Sequence, residues 1–128
     1  MNRDEYNRLS KIILDVCITV HKEMGPGLLE SVYELCLMKE FKLRGIPAKH
    51  QVYIPLIYKD FELSKEFKMD ILVNNEIILE IKSSEALLPV HQAQLISYLK
   101  LADKKLGFLI NFNVPLLKDG FKRFVNKF

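Results

Sequence analysis

Asp70, Glu80 and Lys82 are the residues of this chain whose types and spacing most readily do chemistry. They sit in the segment Asp-Ile-Leu-Val-Asn-Asn-Glu-Ile-Ile-Leu-Glu-Ile-Lys, an otherwise largely apolar stretch. Residues two apart share one face of a strand. Glu80 and Lys82 therefore point the same way, while Leu79 and Ile81 face the other side. Two carboxylates side by side on a sheet repel each other unless a cation binds between them. Oxygen donors of this kind suit Mg²⁺ or Mn²⁺. A lysine beside such an ion can position or deprotonate a water that attacks phosphorus.

The register of the hairpin decides whether the two acids meet. A two-residue turn at Asn74-Asn75 would pair Asp70 with Leu79 and turn Glu80 away. A shared site needs Asp70 opposite Glu80, and so a three-residue loop that includes Glu76, or a bulge. We expect that register. The competing interpretation makes all three residues the ordinary solvent face of an amphipathic hairpin.

Other polar groups fall at helical spacing. Glu30 and Glu34 are four residues apart at the start of a helix and share a face, with Tyr33 beside them. Glu34 is read as an acid facing the positive end of the helix dipole. His91, Gln94 and Tyr98 share one face of a later helix and can hydrogen-bond a phosphate or a catalytic side chain. Ile110-Asn111-Phe112-Asn113 closes an apolar run and reads as a structural turn.

The elements that must position these residues follow from periodicity. Leu9, Ile12, Ile13, Val16, Cys17 and Val20 predict a helix over residues 4–23. Gly25-Pro26-Gly27 breaks it. A second helix spans residues 29–43, with Gly45 as its C-terminal cap. The period then changes to two: Val52, Ile54, Leu56 and Tyr58 alternate as in a strand. Lys59-Asp60 is a turn. Strands are expected over residues 61–63, 66–73 and 76–82, a helix over 90–102 and a buried strand over 106–111. Residues 120–128 fit either a last strand or a short helix. The result is an α/β fold: two helices, a meander of about four strands, a helix, and one or two strands in a mixed sheet.

Together these residues resemble the GxxExxY proteins, a branch of the PD-(D/E)XK nuclease superfamily. The naming motif is present as Gly27, Glu30 and Tyr33. Asp70, Glu80 and Lys82 resemble the superfamily's metal and catalytic core. Gln94 and Tyr98 resemble the Q-x-x-x-Y motif of a branch that includes exonuclease domains of recombination helicase–nucleases. Met69 stands where the superfamily often has proline. The resemblance implies a restriction-endonuclease-like core with an extra N-terminal helix, in one domain over residues 1–128. It implies Mg²⁺ or Mn²⁺ held by Asp70, Glu80, the carbonyl of Ile81 and Glu30. Lys82 would orient and activate the attacking water. Gln94, Tyr98 and His91 would contact substrate or brace the site. The implied reaction is metal-assisted phosphodiester hydrolysis.

Composition bounds this reading without supplying it. The chain has 128 residues, 49% of them hydrophobic and 27% charged, which excludes a disordered or low-complexity protein. The net charge of +3 neither demands nor forbids a nucleic-acid partner. No apolar run reaches the ~20 residues of a membrane span, and a cytoplasmic location is expected. Cys17 and Cys36 read as buried free thiols. The expected partner is nucleic acid, DNA ahead of RNA. So short a chain leaves little room for a specificity domain, which fits a homodimer or a partner protein. The alternative function is a non-catalytic nucleic-acid-binding or regulatory module of the same fold. Scattered lysines such as Lys49 and Lys65 read as a solvated surface. The run from Lys118 to Lys127 reads as a core strand or helix with a charged outer side, although its interleaved Phe121 and Phe124 would also suit a nucleic-acid edge.

Overall fold

The structure is a computed structural model that describes residues 1–64 and 67–128. Lys65, and Glu66 at the expected start of a strand, lie outside the described residues.

Helix α1 (Arg3–Met24) opens on a capping box, in which Asn2 and Glu5 satisfy each other's backbone N–H groups. Gly25-Pro26-Gly27 ends it as expected, with Gly25 and Gly27 at φ +73° and +91°. Helix α2 (Glu30–Leu43) follows, and Gly45 at φ +70° closes it. Strands β1 (Ala48–Tyr53), β2 (Leu56–Tyr58), β3 (Phe61–Ser64), β4 (Lys68–Val73) and β5 (Ile77–Lys82) come next. Helix α3 (Pro89–Leu101) then leads to β6 (Leu106–Asn111), a 3-10 turn (Leu117–Gly120) and β7 (Phe121–Val125). The ambiguous C-terminal segment is thus a strand.

Five strands form one mixed sheet in the order β1-β4-β5-β6-β7. Neighbours are antiparallel except β5 and β6, which run parallel across the α3 crossover. The expected meander is interrupted. The strand anticipated through Val52 to Tyr58 breaks at Ile54-Pro55, and β2 and β3 pair only with each other as a separate hairpin. Pro55 has no N–H to continue the ladder. The N–H of the buried Ile54 bonds the Phe67 carbonyl and closes the base of the hairpin.

The sheet is covered on both faces. Ile13, Val16, Cys17 and Val20 of α1 and Tyr33, Leu37 and Phe41 of α2 pack on Ile71, Val73, Ile77, Leu79, Ile81 and Phe108. On the other face Leu95, Tyr98 and Leu99 of α3 pack on Leu72, Ile78 and Leu109. The two cysteines are free, Cys17 buried and Cys36 half-buried. Among the described residues no helix is long and apolar enough to cross a membrane.

Candidate functional site

The β4–β5 connection is a three-residue loop, Asn74 to Glu76. Asn74 and Asn75 take left-handed φ of 53° and 56°, which asparagine tolerates better than most residues. Val73 pairs with Ile77, Leu72 with Ile78 and Ile71 with Leu79. One further step along this register sets Asp70 opposite Glu80, as the shared site requires.

Direct pairing stops there. Beyond Ile71–Leu79, β4 continues along β1 and β5 continues along β6, so the two strands part. Side chains then take over from the ladder. The Asp70 N–H donates to Glu80 Oε1 at 3.3 Å, and the Ile81 N–H donates to Asp70 Oδ2 at 2.7 Å. The two carboxyl groups lie close enough for each to perturb the other's ionisation. Burial, and then the charge of Asp70, push Glu80 up to about 9. Burial also raises Asp70, and the charge of Glu34 adds to the rise; the Ile81 N–H and Lys82 work against it.

Helix α2 supplies the opposite wall. Gly27 needs its φ of +91°, a conformation that L side chains rarely adopt. The fully buried Tyr33 stacks on Phe112 with centroids 4.3 Å apart. Its hydroxyl donates to the Gly25 carbonyl at 2.5 Å and accepts the Leu28 N–H at 3.1 Å. Ser83, just past β5, donates to the Leu28 carbonyl at 2.6 Å. The loop before α2 is thereby tied both to its own helix and to the end of β5. Glu30, the first residue of α2, faces a cleft of about 190 Å³ lined also by Ser31, Glu34, Gln51, Asp70, Ile81 and Lys82.

Glu34 is more than an acid placed for the helix dipole. It accepts from Gln51 Nε2 at 2.6 Å, approaches His50 Nδ1 at 3.3 Å and lines the cleft with Asp70. Gln51 lies beside Asp70 on β1 with φ of 53° inside the strand. The i, i+4 spacing of Glu30 and Glu34 was a signal for Glu34, whereas nothing in the sequence singles out Gln51.

On the α3 side, Tyr98 is buried to 9% exposure and accepts from Gln94 Nε2 at 3.1 Å. Its hydroxyl is raised by burial and then by the charges of Glu80 and Asp70, which places it in their field. His91 stands two turns earlier on α3, in its first turn. Its Nδ1 accepts the Leu88 N–H at 3.1 Å and caps the start of α3. The buried Asn111 is the structural turn expected of it: its side chain bonds the Ser84 N–H, the Ser84 carbonyl and the Asn113 N–H. The Lys82 carbonyl accepts the Phe112 N–H at 2.9 Å, so the strand end that carries Lys82 is fixed.

The donors suit a hard divalent ion. The buried Glu80 carboxyl beside the half-buried Asp70 carboxyl can exchange its proton for a cation, which removes the repulsion between the two acids. Among the described residues no three Asp, Glu, His or Cys side chains are already gathered as a metal-binding group, so the fit rests on this pair.

Compared with known proteins, residues 7–124 match the family model described as the PD-(D/E)XK nuclease superfamily. No curated protein and no solved structure matches the chain.

Proposed function

Because the chain belongs to the PD-(D/E)XK nuclease superfamily, we propose that it hydrolyses nucleic-acid phosphodiester bonds with a divalent metal ion. The observation that carries this reading is the facing pair Asp70 and Glu80 at the point where β4 and β5 part, with Asp70 and Lys82 both on the wall of one cleft and Glu80 buried behind it. We place the chain in the GxxExxY branch on Gly27, Glu30 and Tyr33, and treat residues 1–128 as one domain.

Asp70 and Glu80, with the Ile81 carbonyl and Glu30, would hold Mg²⁺ or Mn²⁺. When bound, such an ion stabilises charge developing on the phosphate oxygens. Lys82 donates hydrogen bonds to the attacking water and orients it toward phosphorus. Asp70 keeps Oδ2 on the Ile81 N–H, which fixes its carboxylate plane. Tyr98, held by Gln94 and lying in the field of Glu80 and Asp70, would brace the site or contact substrate. His91, with Nδ1 on the Leu88 N–H, would offer its Nε2 to substrate.

Purified protein with labelled single- and double-stranded DNA and RNA should cleave in Mg²⁺ or Mn²⁺ and not in EDTA. Lys82→Ala should lower the rate by roughly 100-fold or more without changing the urea unfolding midpoint. Cleavage that survives this substitution in a folded protein would overturn the assignment. Salt-sensitive binding without cleavage would favour the non-catalytic module instead.

A further inference from the structure

The β2–β3 hairpin is the part of the fold that the catalytic reading leaves unexplained. It stands apart from the five-stranded sheet, and Ile54 at its base is its anchor in the α3-side core. A two-stranded hairpin is marginal in water unless something packs on it. This one nevertheless exposes Tyr58 at 59% and Phe61 at 69%, directly paired across the two strands and so on one face. Lys59 Nζ lies over the Tyr58 ring, 5.5 Å from its centroid. At the base the pattern repeats: Tyr53, 60% exposed, pairs with Lys68, whose Nζ lies 4.8 Å from the ring centroid.

The base of the hairpin adjoins the cleft. Tyr53 is two residues beyond Gln51 and Lys68 two residues before Asp70, about 7 Å along each strand. Open aromatic faces with ammonium groups beside them are what unpaired nucleotides need: a stacking platform and a counter-charge for phosphate.

We propose that this hairpin binds single-stranded nucleic acid, with bases stacked on Tyr53, Tyr58 and Phe61 and phosphates against Lys59 and Lys68. It thereby leads an unpaired strand into the cleft. The inference rests on the nuclease reading and narrows its substrate to single strands or frayed ends. Duplex DNA, whose bases are already stacked, would gain little from the platform.

Binding can be measured apart from cleavage, in EDTA, by anisotropy of a labelled oligothymidylate of ~16 nucleotides. Replacing Tyr53, Tyr58 and Phe61 together by alanine should weaken binding roughly tenfold or more and leave the urea midpoint near that of the parent. The chain has no tryptophan, so Tyr58→Trp installs a sole reporter whose fluorescence the oligonucleotide should quench. Three results would overturn the proposal: unchanged affinity in the folded triple variant, indole fluorescence of the Tyr58→Trp variant that the oligonucleotide leaves unquenched, or a parent dimer in sedimentation that the triple variant loses. The last would make a second copy the occupant of this face. If the parent cleaves nucleic acid while the triple variant binds as before, the hairpin proposal alone falls. If the parent neither binds nor cleaves, both fall together.

Discussion

Glu80 keeps its proton to about 9 rather than the ordinary 4.5, because burial and the Asp70 charge disfavour its anion. The folded protein therefore holds a proton that the unfolded chain releases above pH 4.5. By linkage this group's contribution to stability is fully present below that pH. It then declines by up to ~1.4 kcal/mol per pH unit as pH rises toward 9. Glu80→Gln imitates the protonated acid without titrating. Thermal melts in EDTA should show the variant losing less stability than the parent between pH 5 and 8, and standing above it at pH 8. Equal pH slopes would show that Glu80 is ionised in the metal-free protein. At this scale the meeting of Asp70 with Glu80 and the placing of Glu30 and Lys82 on the cleft beside Asp70 were legible in the sequence, because these residue types and spacings are unusual on apolar elements. Gln51 was not, since its part depends on a left-handed backbone position within β1. His91 shares a helix face with Gln94 and Tyr98, but it sits in the first turn of α3, where a free N–H of the helix start claims its ring.

The elements act chiefly as braces for these side chains. Tyr33 is three residues past Glu30 and points into the core, where its hydroxyl holds both ends of the Gly25–Leu28 loop. Tyr33→Phe keeps the stack on Phe112 and abandons those two bonds. We expect a loss of about 1–3 kcal/mol in urea unfolding, with a further fall in cleavage rate under conditions where the variant is fully folded, since Glu30 starts the helix this loop sets. Unchanged cleavage in the folded variant would leave Tyr33 a purely structural residue. The helices and the β4–β5 register were legible from periodicity and from the demand that two acids meet. The detached hairpin was not. Val52, Ile54, Leu56 and Tyr58 alternate smoothly through Pro55, and only the missing N–H reveals that the ladder must stop.

The molecule as a whole is a sheet between helices, and the cleft lies where that sheet divides. On the other face α3 approaches β6 closely. Gly107 has no Cβ to keep them apart: one placed there would lie 3.0 Å from Leu95 Cδ1 and 3.2 Å from both Leu99 Cδ2 and the Ile78 carbonyl. Gly107→Ala should destabilise the fold by about 1–3 kcal/mol, read from the urea midpoint. A neutral result would mean that α3 can shift outward freely. The mixed sheet and its α/β class were readable from the order of elements. The packing distance was not, because a glycine in a strand states only that something comes near.

The parting of β4 from β5 also governs how this chain can change over generations. The carboxyls of Asp70 and Glu80 each accept a main-chain N–H that the β4–β5 ladder no longer pairs. A descendant that abandoned hydrolysis could not discard these residues freely, because the orphaned donors would still need acceptors. Asn at position 70 and Gln at position 80 are the open exits. A silent relative of this protein would therefore be recognised by amides standing where the acids are.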